Sequence, residues 1–293
     1  MLPLKKASYI CRSLFEDGYV IIPNIISEKD MIKARDMFDE WQSSVENLAD
    51  IHRKIDPHGI YKHHQAGHQR HAWFLRTRPD VQKIFKFLLN TNELIVSYDG
   101  CCYIPKDEKK KDNCWTHTDQ GPKLKGLTCY QGFISFTENK ERTLLLYKGS
   151  HKEHEKYFSD RGLNGSKNWC LIDKDYLSEI DHMKIKLHVP KGALVIWDSR
   201  VFHQNTYGSP NSEERLVQYI SFMDRNNAKN NESNRNKRKR YFEEKRMTSH
   251  WCAPVNVNSL QPQVYGDSSL LIDYDSLPKI ELDDMMNEII KLI

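Results

Sequence analysis

The sequence lacks the features that mark secreted and membrane proteins. No apolar run approaches the roughly 20 residues that a membrane-spanning helix requires. Charged side chains interrupt residues 1–18, so this stretch has no apolar signal-peptide core. The seven cysteines form no Cys-x-x-Cys pair and are scattered along 293 residues, which is typical of reduced thiols. We therefore expect a soluble, intracellular protein and favour a cytoplasmic location.

Excess charge is also scarce, except in one segment. The formal net charge is +4, but residues 225–246 hold nine Lys and Arg against three Glu, which leaves −2 for the rest. A nearly neutral body does not indicate a general nucleic-acid binder. The run Lys237–Arg240 has two interpretations: a nuclear-localisation or nucleic-acid patch, or part of a solvated loop and exposed helix.

The chain shows no sign of division into several domains. It has no internal repeat and no Gly/Ser linker, and its 39% apolar content is enough for a real core. Helical patterns fill the N-terminal third, and short strand-like runs follow. This order predicts one α+β domain over residues 1–293 with a mainly β core, a double-stranded β-helix (jelly roll or cupin-like) with N-terminal and flanking helices. The core would span about 15–252, with a basic loop and helix at 225–246 and a tail at 253–293.

Local patterns place the individual elements. Apolar spacing and capping residues predict helices over 9–16, 31–48 and 73–89. Apolar or alternating runs predict strands over 19–22, 94–98, 127–136, 144–147, 193–197 and 215–220. Residues 280–293 would present one apolar helical face, which either docks on the protein's own surface or contacts a second copy.

Two groups of histidines resemble metal sites. On a helix, His64, His68 and His71 would share a face, but no Cys, Asp or Glu lies among them. We therefore expect a polar helix face or a substrate-lining wall there. His151 and His154 have no third ligand nearby, so a loop or a helix start is the better interpretation.

The most informative stretch is Trp115–Gln120, and within it His117-x-Asp119. Side chains two apart on a β-strand point to the same face, so this imidazole and carboxylate can reach one metal ion together. A distant third His would complete a two-His, one-carboxylate set, which suits non-haem Fe(II) and leaves coordination positions open. Alone the motif is weak, because a chain with 13 histidines contains this spacing about once by chance.

Two later strands supply matching residues. His203 follows the strand at 193–197, and Arg215 begins the next strand. An Arg beside an Fe(II) site would bind a co-substrate carboxylate through its parallel donors. Each residue has a plainer alternative, a hydrogen-bonded core histidine for His203 and a surface ion pair beside Glu213 and Glu214 for Arg215. Their order and strand placement together favour the metal site.

Several separated motifs in this order resemble the phytanoyl-CoA dioxygenase family of Fe(II)/2-oxoglutarate oxygenases. The resemblance covers most of the chain, from Phe15–Pro23 to about Thr248–Trp251. The other matching pieces are Trp115–Pro122, Gln131-Gly132, Gly149–Lys152, Trp197–Asn205 and Arg215. Because the basic run lies inside this span, we favour its interpretation as a solvated loop and helix of the same domain.

The resemblance implies a role for each matching position. His117, Asp119 and His203 would bind iron and form the catalytic centre. Arg215 would hold the distal carboxylate of 2-oxoglutarate, and Asn205, two residues beyond His203, would support the same carboxylate.

Three further positions have weaker expectations. Gln131 is a lesser candidate for the co-substrate pocket. Asp198 and Arg200 would either orient the iron ligands or form a buried salt bridge with each other. The segment Asn139–Thr143 departs from the acidic, Gly-Gly turn common in the family, which changes the expected loop at the site's mouth but not the metal site.

The resemblance also implies a reaction. Relatives that halogenate lack the carboxylate, so Asp119 favours a hydroxylase; Ser221 stands where nucleic-acid demethylases place a second Arg, which counts against that branch. The implied function is an Fe(II)/2-oxoglutarate dioxygenase that uses O₂ to hydroxylate a C–H bond of a small or lipid-like substrate, with release of succinate and CO₂. The alternatives are the same catalyst acting on a protein or nucleic acid, and a metal-binding interaction module without turnover.

Overall fold

The computed structural model describes residues 2–293, which form helices and antiparallel strands. The α-helices are α1 Leu4–Asp17, α2 Glu28–Ser44, α3 Leu48–Ile55, α4 Arg70–Arg76, α5 Pro79–Leu88, α6 His154–Asp160, α7 Lys174–Glu179, α8 Glu232–Glu243 and α9 Met286–Ile289. The strands are β1 Tyr19–Ile22, β2 Ile60–Tyr61, β3 Leu94–Val96, β4 Cys101–Ile104, β5 His117–Thr118, β6 Tyr130–Ser135, β7 Leu144–Tyr147, β8 Cys170–Leu171, β9 Lys184–Lys186, β10 Leu194–Asp198, β11 His203–Asn205 and β12 Arg215–Asp224. The predicted α+β class with a mainly β core is confirmed.

The described residues divide into two compact units, each made of separate stretches of chain. The first unit is Asn24–Tyr103 with Leu216–Ile293, and the second unit is Leu2–Pro23 with Ile104–Arg215. The single domain over 1–293 stays a prediction. All six residues expected to bind metal or co-substrate belong to the second unit.

The second unit contains two antiparallel arrays of strands. One has the order β1-β10-β6, and the other has the order β8-β5-β11-β7-β9. The strands β7 and β10 are buried at every position, as expected for short apolar runs that are covered on both faces. The rings of Trp197 on β10 and His203 on β11 lie 5.4 Å apart, so the two arrays face each other at the predicted site.

The helix α1 packs on this unit and ends where its sequence indicates. Gly18 takes the left-handed conformation (φ 82°) and its N–H donates to the Leu14 carbonyl, which closes the helix. A side chain at Gly18 would also meet the His151 ring, 2.5 Å from the added Cβ. His151 and His154 lie in a 3-10 turn and at the start of α6, so the interpretation as a loop or helix start is confirmed.

The first unit shows where helix prediction failed. The predicted helix over 73–89 is wrong as one element, because α4 ends at Arg76 and α5 begins at Pro79. Proline lacks an N–H and disfavours helical geometry in the residue before it, so the chain breaks there. The helix expected over 31–48 also divides, since α2 ends at Ser44 and α3 begins at Leu48.

The histidines of the first unit do not share a helix face, so that expectation is wrong. His64 has a left-handed backbone (φ 54°), which interrupts any helix before α4 begins at Arg70. His64 Nδ1 lies 3.0 Å from His52 Nε2, whereas His68 Nε2 lies 2.9 Å from the Arg246 carbonyl oxygen. The His71 ring stacks on Trp41. These side chains are buried core groups rather than a metal cluster or a polar surface.

The basic run and the C-terminal tail both belong to the first unit. The helix α8 carries an exposed basic face, as favoured, but Arg238 is buried and donates to the Cys252, Val96 and Leu292 carbonyls. The tail is a series of single turns rather than one helix. Four of its apolar side chains pack inward: Leu282, Met285, Ile289 and Leu292. The Arg70–Asp284 pair at 2.8 Å also holds the tail on this unit, so docking on the protein's own surface is confirmed.

No helix within residues 2–293 combines the length and the apolar character that crossing a membrane would require.

Candidate metal centre

Antiparallel pairing of two short strands brings the predicted ligands together. His203 on β11 is directly opposite His117 on β5, so both imidazoles point to the same face of the sheet. Asp119 follows β5 immediately and returns to that face. One ligand atom from each of the three residues lies within 4.8 Å of the others. Among the described residues, this is the group of at least three His, Cys, Asp or Glu side chains that could hold a metal ion.

The imidazoles present their Nε2 atoms to one carboxylate oxygen. The Nδ1 of His117 lies 3.2 Å from the Trp115 carbonyl oxygen, and the Nδ1 of His203 lies 2.9 Å from that of Val201. These carbonyls can only accept, so each Nδ1 donates and each Nε2 keeps its lone pair. The Nε2 atoms are 3.7 Å (His117) and 3.4 Å (His203) from Asp119 Oδ2.

Burial keeps the His117 ring neutral. Removal from water lowers the pKa of His117, and the neighbouring His203 lowers it further, while Asp119 partly opposes the shift. A neutral imidazole at physiological pH is the form that binds a metal.

Gln131 on β6 contacts the carboxylate itself. Its Nε2 donates to Asp119 Oδ2 at 2.8 Å, and its own Oε1 is buried without a hydrogen-bond partner. The expectation placed Gln131 in the co-substrate pocket, and that role stays a prediction. Its position on Asp119 adds a second role, because the donor fixes which carboxylate oxygen faces the two imidazoles.

Arg215 is completely buried beside β11. Its Nη2 donates to Asn205 Oδ1 at 3.1 Å and its Nη1 to the Arg142 carbonyl at 3.3 Å, while Nε has no hydrogen-bond partner. Its guanidinium carbon lies 5.2 Å from the centre of the Phe133 ring. The salt bridges of residues 2–293 do not include Arg215, so the alternative of a surface ion pair is wrong.

Glu213 instead organises the segment that departs from the family pattern. Its Oε1 accepts the backbone N–H groups of Lys140, Glu141 and Arg142 at 2.6, 2.8 and 3.0 Å. The Arg142 side chain turns inward, is fully buried, and donates to the carbonyls of Pro105, Tyr207 and Glu108. Through the Arg142 carbonyl, this segment directly contacts Arg215.

Asp198 and Arg200 pair with each other. Arg200 Nε and Nη2 donate to the two carboxylate oxygens of Asp198 at 2.9 and 2.6 Å, and Asp198 is buried. Of the two interpretations, the buried salt bridge is present in the structure.

The sequence analysis assigned no role to three residues of the site. The Trp115 ring stacks on the His117 ring, with the ring centroids 4.7 Å apart. The Trp169 ring, from the residue just before β8, lies 5.4 Å from the His117 ring, because β8 pairs with β5. Gln120 is buried and binds the Leu124 and Gly126 carbonyls, and its own carbonyl lies 2.6 Å from His154 Nε2. Gln120 lies inside the recognised motif, but its bracing role depends on contacts that sequence spacing does not reveal.

No family model matches the chain. It is 29% identical over 230 residues to "Ava biosynthesis cluster protein O" of Aspergillus versicolor, which covers 71% of this chain and 74% of the relative. It is 22% identical over 263 residues to a Dictyostelium discoideum protein named "Putative phytanoyl-CoA dioxygenase", a match that covers 70% of this chain and 72% of the relative. The resemblance to the phytanoyl-CoA dioxygenase family is confirmed.

Several solved structures have a fold similar to that of this chain. The epimerase SnoN, in complex with Fe3+, alpha ketoglutarate and nogalamycin RO, matches with a TM-score of 0.54 and 15% identity over 76% of this chain and 85% of SnoN. EctD from S. alaskensis, with 2-oxoglutarate and 5-hydroxyectoine, matches with a TM-score of 0.52 and 15% identity over 76% of each chain. The carbocyclase SnoK matches with a TM-score of 0.52 and 19% identity over 76% of this chain and 84% of SnoK. At these identities the match establishes the fold, the predicted double-stranded β-helix.

Proposed function

We propose that this phytanoyl-CoA dioxygenase-like chain is an Fe(II)/2-oxoglutarate-dependent dioxygenase that hydroxylates a C–H bond of a small or lipid-like molecule. Succinate and CO₂ would be the co-products. The convergence of His117, Asp119 and His203 on one point of the sheet carries the proposal. SnoN and EctD, named above with 2-oxoglutarate or alpha ketoglutarate bound, lend it support through the shared fold.

The donor set fits iron. Two neutral imidazole nitrogens and one carboxylate oxygen are the facial set that non-haem Fe(II) oxygenases use. Both rings donate their Nδ1–H to backbone carbonyls, so the Nε2 lone pairs point toward the proposed metal position. Gln131 holds the third ligand atom, Asp119 Oδ2, in the same place.

Arg215 fits the distal carboxylate of the co-substrate. A buried guanidinium that forms no salt bridge is costly, and its partnerless Nε marks unused donor capacity. A planar carboxylate would satisfy this fork with two parallel hydrogen bonds. The Asn205 amide already contacts Nη2 and would fix the orientation of the guanidinium.

The protein's own residues would then do four things. His117, Asp119 and His203 hold the metal and leave its other positions open. Arg215 orients the co-substrate, and Gln131 keeps the Asp119 carboxylate from rotating. Trp115, stacked on His117, covers one side of the centre from solvent. When bound, Fe(II) with 2-oxoglutarate and O₂ supplies the oxidising chemistry for an unactivated C–H bond.

The test is an anaerobic titration of the purified protein with Fe(II) and 2-oxoglutarate, followed by the visible charge-transfer band of the chelate. We expect the band in the parent protein, its loss in His117→Ala, and an apparent 2-oxoglutarate affinity weakened by about tenfold or more in Arg215→Lys, which keeps the charge but not the fork. Arg161→Lys, an exposed arginine of the same unit, is the matched control and should behave like the parent.

The outcomes are separable. A folded parent protein without the band would contradict the dioxygenase proposal. A band with unchanged 2-oxoglutarate affinity in Arg215→Lys would keep the metal site but remove Arg215 from the co-substrate pocket. If the band forms as expected, succinate release measured across a substrate panel tests turnover.

A further inference from the structure

A large apolar side chain lies exposed beside the metal centre. Trp169 keeps 49% of its surface in solvent although its ring is only 5.4 Å from that of His117. Leu171 on β8 is 55% exposed. Trp169 and Leu171 therefore form an exposed apolar pair next to the proposed metal position, and aromatic and apolar side chains are the usual lining of small-molecule sites.

Strand register places both side chains on the metal face. Leu171 on β8 is directly opposite His117 on β5, and opposed residues of an antiparallel pair project to the same side of the sheet. Trp169 is two residues before Leu171 and therefore continues on that side, as its contact with the His117 ring shows. Trp169 and Leu171 thus extend the surface that carries the ligand atoms.

The backbone that presents Trp169 is held in position. A Cβ on Gly121, two residues after Asp119, would lie 2.3 Å from the Lys167 carbonyl oxygen, so the chain before Trp169 rests directly on the metal-binding strand segment. Cys170 Sγ donates to the same Lys167 carbonyl at 3.4 Å. The backbone immediately before Trp169 is therefore held against the metal-binding segment at Lys167.

We propose that Trp169 and Leu171 are the substrate-binding wall of this site and that the substrate presents a flat, uncharged ring system to it. The assignment rests on the proposed dioxygenase function, whose substrate class it names. The two side chains of the wall, Trp169 and Leu171, carry no charge, so the wall selects against a charged group at this position. An indole face gains most from another flat ring, through stacking as well as through burial of area.

The test measures binding of a defined probe to the protein loaded anaerobically with Fe(II) and 2-oxoglutarate. The probe is naphthalen-2-ylmethanol, a neutral bicyclic aromatic, and its fully saturated counterpart, decahydronaphthalen-2-ylmethanol, is the shape control. Isothermal titration calorimetry gives Kd for the parent, for Trp169→Phe and Trp169→Ala, and for Phe15→Ala. Phe15 is also an exposed aromatic of the second unit, so its removal is a matched control.

We expect Trp169→Ala to raise the Kd of the naphthyl probe by about tenfold, Trp169→Phe to stay within about threefold, and Phe15→Ala to match the parent. The saturated probe should bind more weakly than the aromatic one and lose less in Trp169→Ala, because only the aromatic ring stacks. Circular dichroism and the charge-transfer band establish that each variant is folded and loaded.

The results distinguish the two proposals. If the band forms but the probe binds Trp169→Ala as tightly as the parent, or does not bind the parent, the wall assignment is wrong and the dioxygenase proposal stands. If the band never forms in folded protein, the dioxygenase proposal fails and the substrate assignment fails with it. Equal losses for both probes would remove the flat-ring preference and with it the substrate class.

Discussion

Gln131 donates its side-chain N–H to Oδ2 of Asp119 at 2.8 Å. The same oxygen faces the Nε2 atoms of His117 and His203. The Gln131 amide therefore helps to select the carboxylate oxygen that points to the proposed metal position. Outer contacts of this kind keep a ligand in place and commonly matter almost as much as the ligand itself.

Gln131→Leu should lower Fe(II) affinity by about 10- to 100-fold, because the freed carboxylate would lose its fixed orientation. Chelator competition in the absence of oxygen measures this. Gln82→Leu, which alters a partly buried glutamine of α5 in the first unit, should leave metal affinity unchanged. Unaltered affinity in Gln131→Leu would show that contacts other than the one with Gln131 orient Asp119.

Gly121→Ala should destabilise the protein by about 1–3 kcal/mol, because its Cβ would overlap backbone at Lys167, which cannot rotate away. Urea unfolding measures the change. Gly165→Ala is the matched control, since nothing lies within 4 Å of the added Cβ and its φ is not in the left-handed region. Equal stability of the two variants would contradict the close approach of the Lys167 backbone to Gly121.

Glu213→Gln should lower the melting temperature and destabilise the protein by about 1–2 kcal/mol, because a neutral amide oxygen accepts three N–H groups less strongly than a carboxylate. Burial raises the pKa of Glu213, but the backbone N–H donors outweigh it and lower the pKa below its usual value. Its contribution is therefore complete above the ordinary carboxyl pKa and is lost as pH falls through the lower folded value. Glu179→Gln, at an exposed position of α7, should change stability much less. An equal loss in both variants would show that the three hydrogen bonds to Glu213 do not add to the free energy of unfolding.

Acidification between pH 7 and pH 5 should weaken the first unit. Burial lowers the pKa of His68 and His71 to about 3 and that of His64 to about 4. The unfolded chain takes up these protons near pH 6.5 whereas the folded chain does not, so stability is complete above that pH and falls below it. Each histidine contributes a slope of up to about 1.4 kcal/mol per pH unit.

Urea unfolding at pH 7.5, 6.0 and 5.0 measures this slope. His182→Gln should not change it, because His182 is an exposed histidine of the second unit. A free energy of unfolding that is the same at pH 7.5 and 5.0 would show that these histidines are not buried as neutral groups.

The sequence predicted those parts of the structure that depend on local pattern. The strands at Tyr19–Ile22 and Leu144–Tyr147 have the predicted bounds. A short run of large apolar residues between polar turns is typical of a strand in a covered sheet, and the turns set its ends. The expected metal residues also come together. The spacing of His117 and Asp119 is a local pattern, whereas their meeting with His203 depends on the pairing of β11 with β5 and was expected from the resemblance to the family.

What the sequence did not predict depends on tertiary contacts. The side chain of Trp169 reaches His117 only because β8 pairs with β5, and nothing in the residues around Trp169 identifies that partner. The histidines at 64, 68 and 71 were grouped by a helical spacing that the left-handed His64 interrupts. Arg238 looked like part of a solvated charge run, but the carbonyls that bury it lie far away along the chain.

Under the proposed metal binding, the pairing of His117 with His203 links metal affinity to the correct register of β11 on β5. Side chains alternate along a strand, so a slip of β11 by one residue would present Gln204 in place of His203. Chains whose strands have paired out of register would then lack a ligand and bind metal weakly. An ion that binds the native pairing alone stabilises it by mass action, so metal uptake would retain correctly registered molecules and leave misregistered ones free to unfold and pair again.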